Sequence, residues 1–153
     1  MINRFGSALT GALLLLLAAP AQAELAIEDP WVREAPPNAG VMAGYLVFTN
    51  KGDEEIVISG GESEDFDRVE LHETHQREDG VATMRRINEV RLAPGEQSTF
   101  RPGGQHLMLI APRRELRAGD SVELSLQVDG DTTSVTLPVR KAGHEDHHRH
   151  QGH

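Results

Sequence analysis

The chain predicts an all-β fold, and three observations carry that prediction. From Glu24 to Arg140, short alternating apolar and polar runs are separated by Gly, Pro, Asn and Asp. No segment in that stretch repeats its apolar residues at helical spacing. Asp129-Gly130 lies between Val122, Leu124, Leu126 and Val128 on one side and Val135, Leu137 and Val139 on the other. That is the pattern of a hairpin with a two-residue turn, for which Asp-Gly supplies the positive φ angles. Strands at this spacing are expected to pack as a two-sheet β-sandwich.

Taken in order, residues 1–23 read as a secretion signal. Arg4 lies in a short polar start, an apolar run extends from Ala8 to Ala19, and Ala21-Gln22-Ala23 forms a small-x-small cleavage site. The run is too short to favour a membrane-spanning helix, so cleavage after Ala23 and no membrane insertion thereafter are expected. Strands are then expected at Leu25 to Glu28, Met42 to Thr49, Glu55 to Ser59, Asp67 to His72, Ala82 to Ile87, Ser98 to Phe100 and His106 to Ala111, before the hairpin of Ser121 to Val139. Asn50-Lys51-Gly52-Asp53, Pro94-Gly95, Pro102-Gly103-Gly104 and Ala118-Gly119-Asp120 mark turns between them. Residues 24–140 form one expected domain, of a size to bury about two-thirds of its unfolded surface. From Lys141 to His153 the chain has five histidines and almost nothing apolar, so a disordered His-rich tail is expected there.

Loss of Arg4 with the signal takes the formal net charge from -9 to -10. An acidic surface of this kind argues against nucleic acid as a partner. The chain has no cysteine, so the core of an exported domain must hold without disulfides. Glu62 to Asp67 reads as solvated loop charge, and no nucleophile elbow, phosphate-cradling loop or dinucleotide fingerprint is present. His144-Glu145-Asp146-His147-His148 matches the zinc-peptidase pattern His-Glu-x-x-His, but in a segment half composed of histidine such a match is expected by accident.

The chemistry concentrates between Phe66 and Pro112, where His72, Met84, His106 and Met108 stand. His106 and Met108 are two residues apart in an expected strand and so project from one face. A turn at Asp79-Gly80 would place Glu78 opposite Val81 and His75 opposite Met84, with His72 close by. Taken singly, each of these residues has an ordinary reading, Met as core filler and His as a surface residue. Outside the signal and tail, however, the domain holds only three His and three Met, and four of those six fall in this set. Thioether sulfur with imidazole selects Cu(I), and without thiols the set survives an oxidising compartment. Blue-copper electron transfer is disfavoured because it needs a thiolate. The chain is therefore expected to be a carrier and not an enzyme.

The spacing of His72, Met84 and His106-Leu107-Met108 resembles the His...Met...His-x-Met signature of the periplasmic copper chaperones called PCuAC. The resemblance extends to Trp31 to Pro37, Ala43 to Asn50, Val69 to His72, Asp79-Gly80, Met84-Arg85 and Pro102 to Met108. It implies a cupredoxin-like or immunoglobulin-like β-sandwich in the periplasm, with Cu(I) held by His72, Met84, His106 and Met108. It also implies delivery to a copper-accepting cytochrome c oxidase subunit, alongside a thioredoxin-like copper chaperone, by a protein expected to be monomeric. Many members carry a further Met where this chain has Glu73 and Gln76-Arg77-Glu78. That leaves His75 as a substitute ligand and the first ligand open between His72 and His75. His-rich tails in the family resemble a second, Cu(II)-binding site, here His144, His147, His148, His150 and His153. The rival reading is a metal-buffering or adaptor protein in which only this tail binds metal.

Overall fold

A computed structural model describes residues 24–141 and 143. The expected signal, and the tail histidines His144, His147, His148, His150 and His153, lie outside the described residues. Within them the chain is all-β, with no helix: β1 (Leu25–Arg33), β2 (Val41–Asn50), β3 (Ile56–Glu62), β4 (Phe66–Gln76), β5 (Ala82–Ile87), β6 (Val90–Leu92), β7 (Gln97–Phe100), β8 (Gln105–Pro112), β9 (Ser121–Val128) and β10 (Asp131–Arg140).

These strands hydrogen-bond as one sheet where the sequence leads to an expectation of two. The order β4-β8-β7-β2-β1-β10-β9-β3 is closed by a bridge from Gly61 to Val69, which joins β3 back to β4 in a barrel-like ring of eight strands. Closure depends on a sharp bend in β3. Its register against β9 shifts between Ile58 and Gly60, and Gly60 has φ of 127°. A Cβ on Gly61 would lie 3.0 Å from the Ser125 carbonyl oxygen and 3.2 Å from Leu126 Cδ2. Glycine at such a corner lets the backbones approach and the sheet curl on itself. β5 then extends along the edge of β4 and β6 along the edge of β3.

Alternation decides what faces inward. Val122, Leu124, Leu126 and Val128 on β9, with Leu137 and Val139 on β10, are buried as their spacing predicts. The Asp129-Gly130 turn has φ of 50° and 83° at its two residues and pairs Val128 with Asp131, as a two-residue hairpin requires. Leu46, Phe48, Leu71, Phe100, Leu107 and Leu109 complete the centre of the core, where Phe48 and Phe100 meet edge to face at 5.3 Å. Asn50 is wholly buried yet satisfied. Its amide donates to the carbonyls of Glu54 (2.7 Å) and Leu92 (2.9 Å) and its Oδ1 accepts from Gly52 N–H (2.9 Å), which fastens β6 to the end of β2.

Candidate metal centre

On β4, Val69 and Leu71 point into the core, so Glu70, His72 and Thr74 point outward. Directly paired residues share a face, and the pairs are Glu70 with Met108, His72 with His106, His72 with Arg86, and Thr74 with Met84. His72, Met84, His106 and Met108 therefore all lie on the outer face of β5, β4 and β8. Leu107 and Leu109 alternate with the β8 donors and anchor that strand from the core side.

The two imidazoles are neighbours, with ring centroids 5.8 Å apart. One ion bonded at about 2 Å to a nitrogen of each fits that separation. Each ring is oriented from behind. Gly104 turns the chain into β8, and its carbonyl oxygen accepts from Thr74 N–H (3.2 Å) and from His106 Nδ1 (3.1 Å). A carbonyl can only accept, so His106 carries its proton on Nδ1 and leaves Nε2 with a free lone pair. His72 Nε2 lies 2.9 Å from Glu70 Oε2, and its Nδ1 is buried with no hydrogen-bond partner. A buried nitrogen without a partner is unusual, and coordination is one way to satisfy it. Glu70 is held below the usual carboxylate range, first by the hydrogen bond from His72 and then by Arg86 and Arg68, against the opposing effect of burial.

The thioethers are placed differently from the imidazoles. Met108 is half-buried beside His106, whereas Met84 is 65% exposed. They stand on opposite sides of the imidazole pair, two strands and four ladder positions apart, or roughly 10 Å across and 13 Å along the sheet. The β4–β5 hairpin must curl over the imidazoles for both sulfurs to reach one ion. His106 is only 6% exposed. On the same face, the Trp31 and Tyr45 rings meet at 4.8 Å with their planes tilted by 44°, with Arg33 over Tyr45 and Arg140 over Trp31. Burial raises the Tyr45 hydroxyl above its ordinary value.

The expected pairing of His75 with Met84 is displaced by one residue. Met84 pairs with Thr74, and His75 pairs with Thr83 on the opposite face. The cause is the turn, which has three residues: Arg77 N–H donates to Val81 O (2.9 Å), Gly80 N–H to Arg77 O (2.9 Å), and only Gly80 of the central residues has positive φ. His75 Nε2 lies 3.0 Å from Glu73 Oε1, and Arg85 also engages that carboxylate. His75 thus stands apart from the His72–His106 pair. Among the described residues, no three His, Cys, Asp or Glu side chains are grouped to hold an ion; the donor set is two imidazoles with thioethers. Sequence reasoning missed Glu70 and the Gly104 carbonyl. Glu70 has a readable signal, since an acid two positions before His72 on a strand must share its face.

Residues 25–139 match the family of LpqE-like lipoproteins. A protein of Leifsonia xyli subsp. xyli that carries a lipoprotein name, Lxx21020, is 29% identical over 116 residues, spanning 74% of this chain and 68% of its own. Among solved structures, apo-DR1885 from Deinococcus radiodurans is 27% identical with a TM-score of 0.61, covering 93% of this chain and 95% of its own. The copper-bound PCuAC domain from PmoF2 shares the fold at a TM-score of 0.67 and 23% identity, covering 80% and 97% respectively. The chain belongs to the LpqE-like family, and its fold is that of PCuAC domains.

Proposed function

We propose that this protein is an exported copper chaperone that carries Cu(I) on His72, Met84, His106 and Met108 and hands it on by ligand exchange. The observation that carries the reading is the His72–His106 pair, 5.8 Å apart, with one unengaged nitrogen on each ring and Met108 on the same face. Imidazole with thioether is a soft, neutral donor set suited to Cu(I). Relatives support the cargo, since solved neighbours include the copper-bound PmoF2 domain and Cu(I)-DR1885. The lipoprotein names of relatives and the Ala21-Gln22-Ala23 site support export to the periplasm.

In this reading His72, His106 and Met108 hold the ion and the exposed Met84 closes over it. Ligand exchange begins at Met84, because it is the donor that solvent and an acceptor reach first. The acceptor is a copper-accepting cytochrome c oxidase subunit, with a thioredoxin-like copper chaperone as co-worker. The protein acts as a monomer and makes or breaks no covalent bond in the exchange. The tail histidines His144, His147, His148, His150 and His153 form a second site, for Cu(II). The test is Cu(I) stoichiometry on protein lacking Lys141 to His153: one equivalent retained supports the core site, and none leaves only a tail that buffers metal.

A further inference from the structure

We propose that Glu70 is a positioning residue that makes His72 a ligand through Nδ1, so that the two imidazoles grip copper with different nitrogens, Nδ1 of His72 and Nε2 of His106. The inference rests on the copper reading above. The two oxygens of the Glu70 carboxylate have different partners. Glu70 Oε1 faces Arg86, at 3.5 Å, and Arg68, at 4.0 Å, while Oε2 lies 2.9 Å from His72 Nε2. Arg86 is also the direct cross-strand partner of His72 on β5, so ladder and ion pair fix the carboxylate from the same direction.

An ionised carboxylate has no proton to give, so the hydrogen in the Glu70–His72 bond sits on Nε2. A second proton on Nδ1 would leave a buried donor with no partner, at the full cost of its lost solvation. The geometry thus favours the tautomer that carries its hydrogen on Nε2 and leaves Nδ1 bare. Both side chains are only 12% exposed, which limits competition from water. At His106 a different acceptor, the Gly104 carbonyl, holds Nδ1–H and frees the other nitrogen. Partners behind a ligating imidazole set its tautomer and orientation, and their loss costs about 10- to 100-fold in metal affinity.

The test uses full-length protein labelled with 15N-histidine. Long-range proton–nitrogen spectra without metal are expected to show His72 protonated at Nε2. Added Cu(I) is expected to move His72 Nδ1 and His106 Nε2. In Cu(I) competition against a chromophoric chelator, Glu70→Ala is expected to bind about 10- to 100-fold more weakly and to lose the single His72 tautomer. Glu70→Gln, whose amide oxygen still accepts from Nε2, is expected to recover both. A proton on His72 Nδ1 in the metal-free wild type, or a Cu(I) shift at His72 Nε2, overturns the positioning role while leaving the copper site intact; the wild-type spectrum decides this even if Glu70→Ala does not fold. Unchanged affinity in a folded Glu70→Ala protein overturns it equally. No Cu(I) shift at either imidazole overturns the copper reading itself.

Discussion

His72 and His106 are direct cross-strand partners on β4 and β8, and each ring is held from behind by a different group on its own strand or the loop before it. Glu70 precedes His72 by two residues and Gly104 precedes His106 by two. The imidazole pair is therefore oriented by the protein alone, and in the proposed copper site the thioethers are the adjustable part.

That division of labour separates the consequences of losing Met84. Because its side chain is largely exposed, Met84→Leu is expected to change unfolding free energy by well under 1.5 kcal/mol. Cu(I) affinity is expected to fall about tenfold or more, since a tenfold loss corresponds to roughly 1.4 kcal/mol of ligation. Chelator competition and thermal unfolding on the same preparation check both halves.

Curling of the β4–β5 hairpin is a second consequence. β5 is exposed along nearly its whole length, and the gap between Met84 and Met108 has to close if both bind one ion. Amide exchange at Ala82 to Ile87 is expected to slow on Cu(I) loading, while β9 and β10 stay unchanged. Equal protection of β5 with and without Cu(I) would mean that Met84 does not move onto the ion.

Acid sensitivity follows from Glu70. Its folded carboxyl lies below the ordinary value of 4.5, chiefly through the hydrogen bond from His72. A depressed folded pKa stabilises the native state above the unfolded value, and that stability is lost as pH falls through the folded one. Metal-free wild type is thus expected to lose stability below about pH 4.5, more steeply than Glu70→Gln. Denaturant midpoints between pH 6 and pH 3 measure the difference.

The scaffold makes its own prediction at Asn50. Replacing this buried amide with Ala strips the Leu92 and Glu54 carbonyls of their donor, at a cost of about 3 kcal/mol. Once the variant is folded at low temperature, its Cu(I) affinity is expected to match the wild type, because Asn50 lies away from the imidazole pair.

Much of this arrangement is legible in the sequence, and the limits have identifiable causes. The run His106-Leu107-Met108-Leu109 separates the two leucines from His106 and Met108 by alternation alone, and the structure places them on opposite faces of β8. Asp129-Gly130 reads as a two-residue hairpin and is one. Asp79-Gly80 is the same dipeptide but closes a three-residue loop with Glu78, and a one-residue difference in loop length moves Met84 from His75 to Thr74. Closure of the sheet is invisible in any single strand, because it depends on where Gly60 and Gly61 let β3 bend toward β4. Burial of His106 is likewise non-local, set by neighbours that the ladder brings onto the outer face.

The central claim is tested most directly by the Cu(I) stoichiometry and ligand set of protein lacking Lys141 to His153, measured by X-ray absorption under reducing conditions. One copper with both nitrogen and sulfur scatterers, and loss of the sulfur shell in the Met84→Leu, Met108→Leu double variant, is the result predicted here. A truncated protein that takes up no copper, or a double variant whose scattering shell and Cu(I) affinity match those of the protein with both methionines, would contradict it.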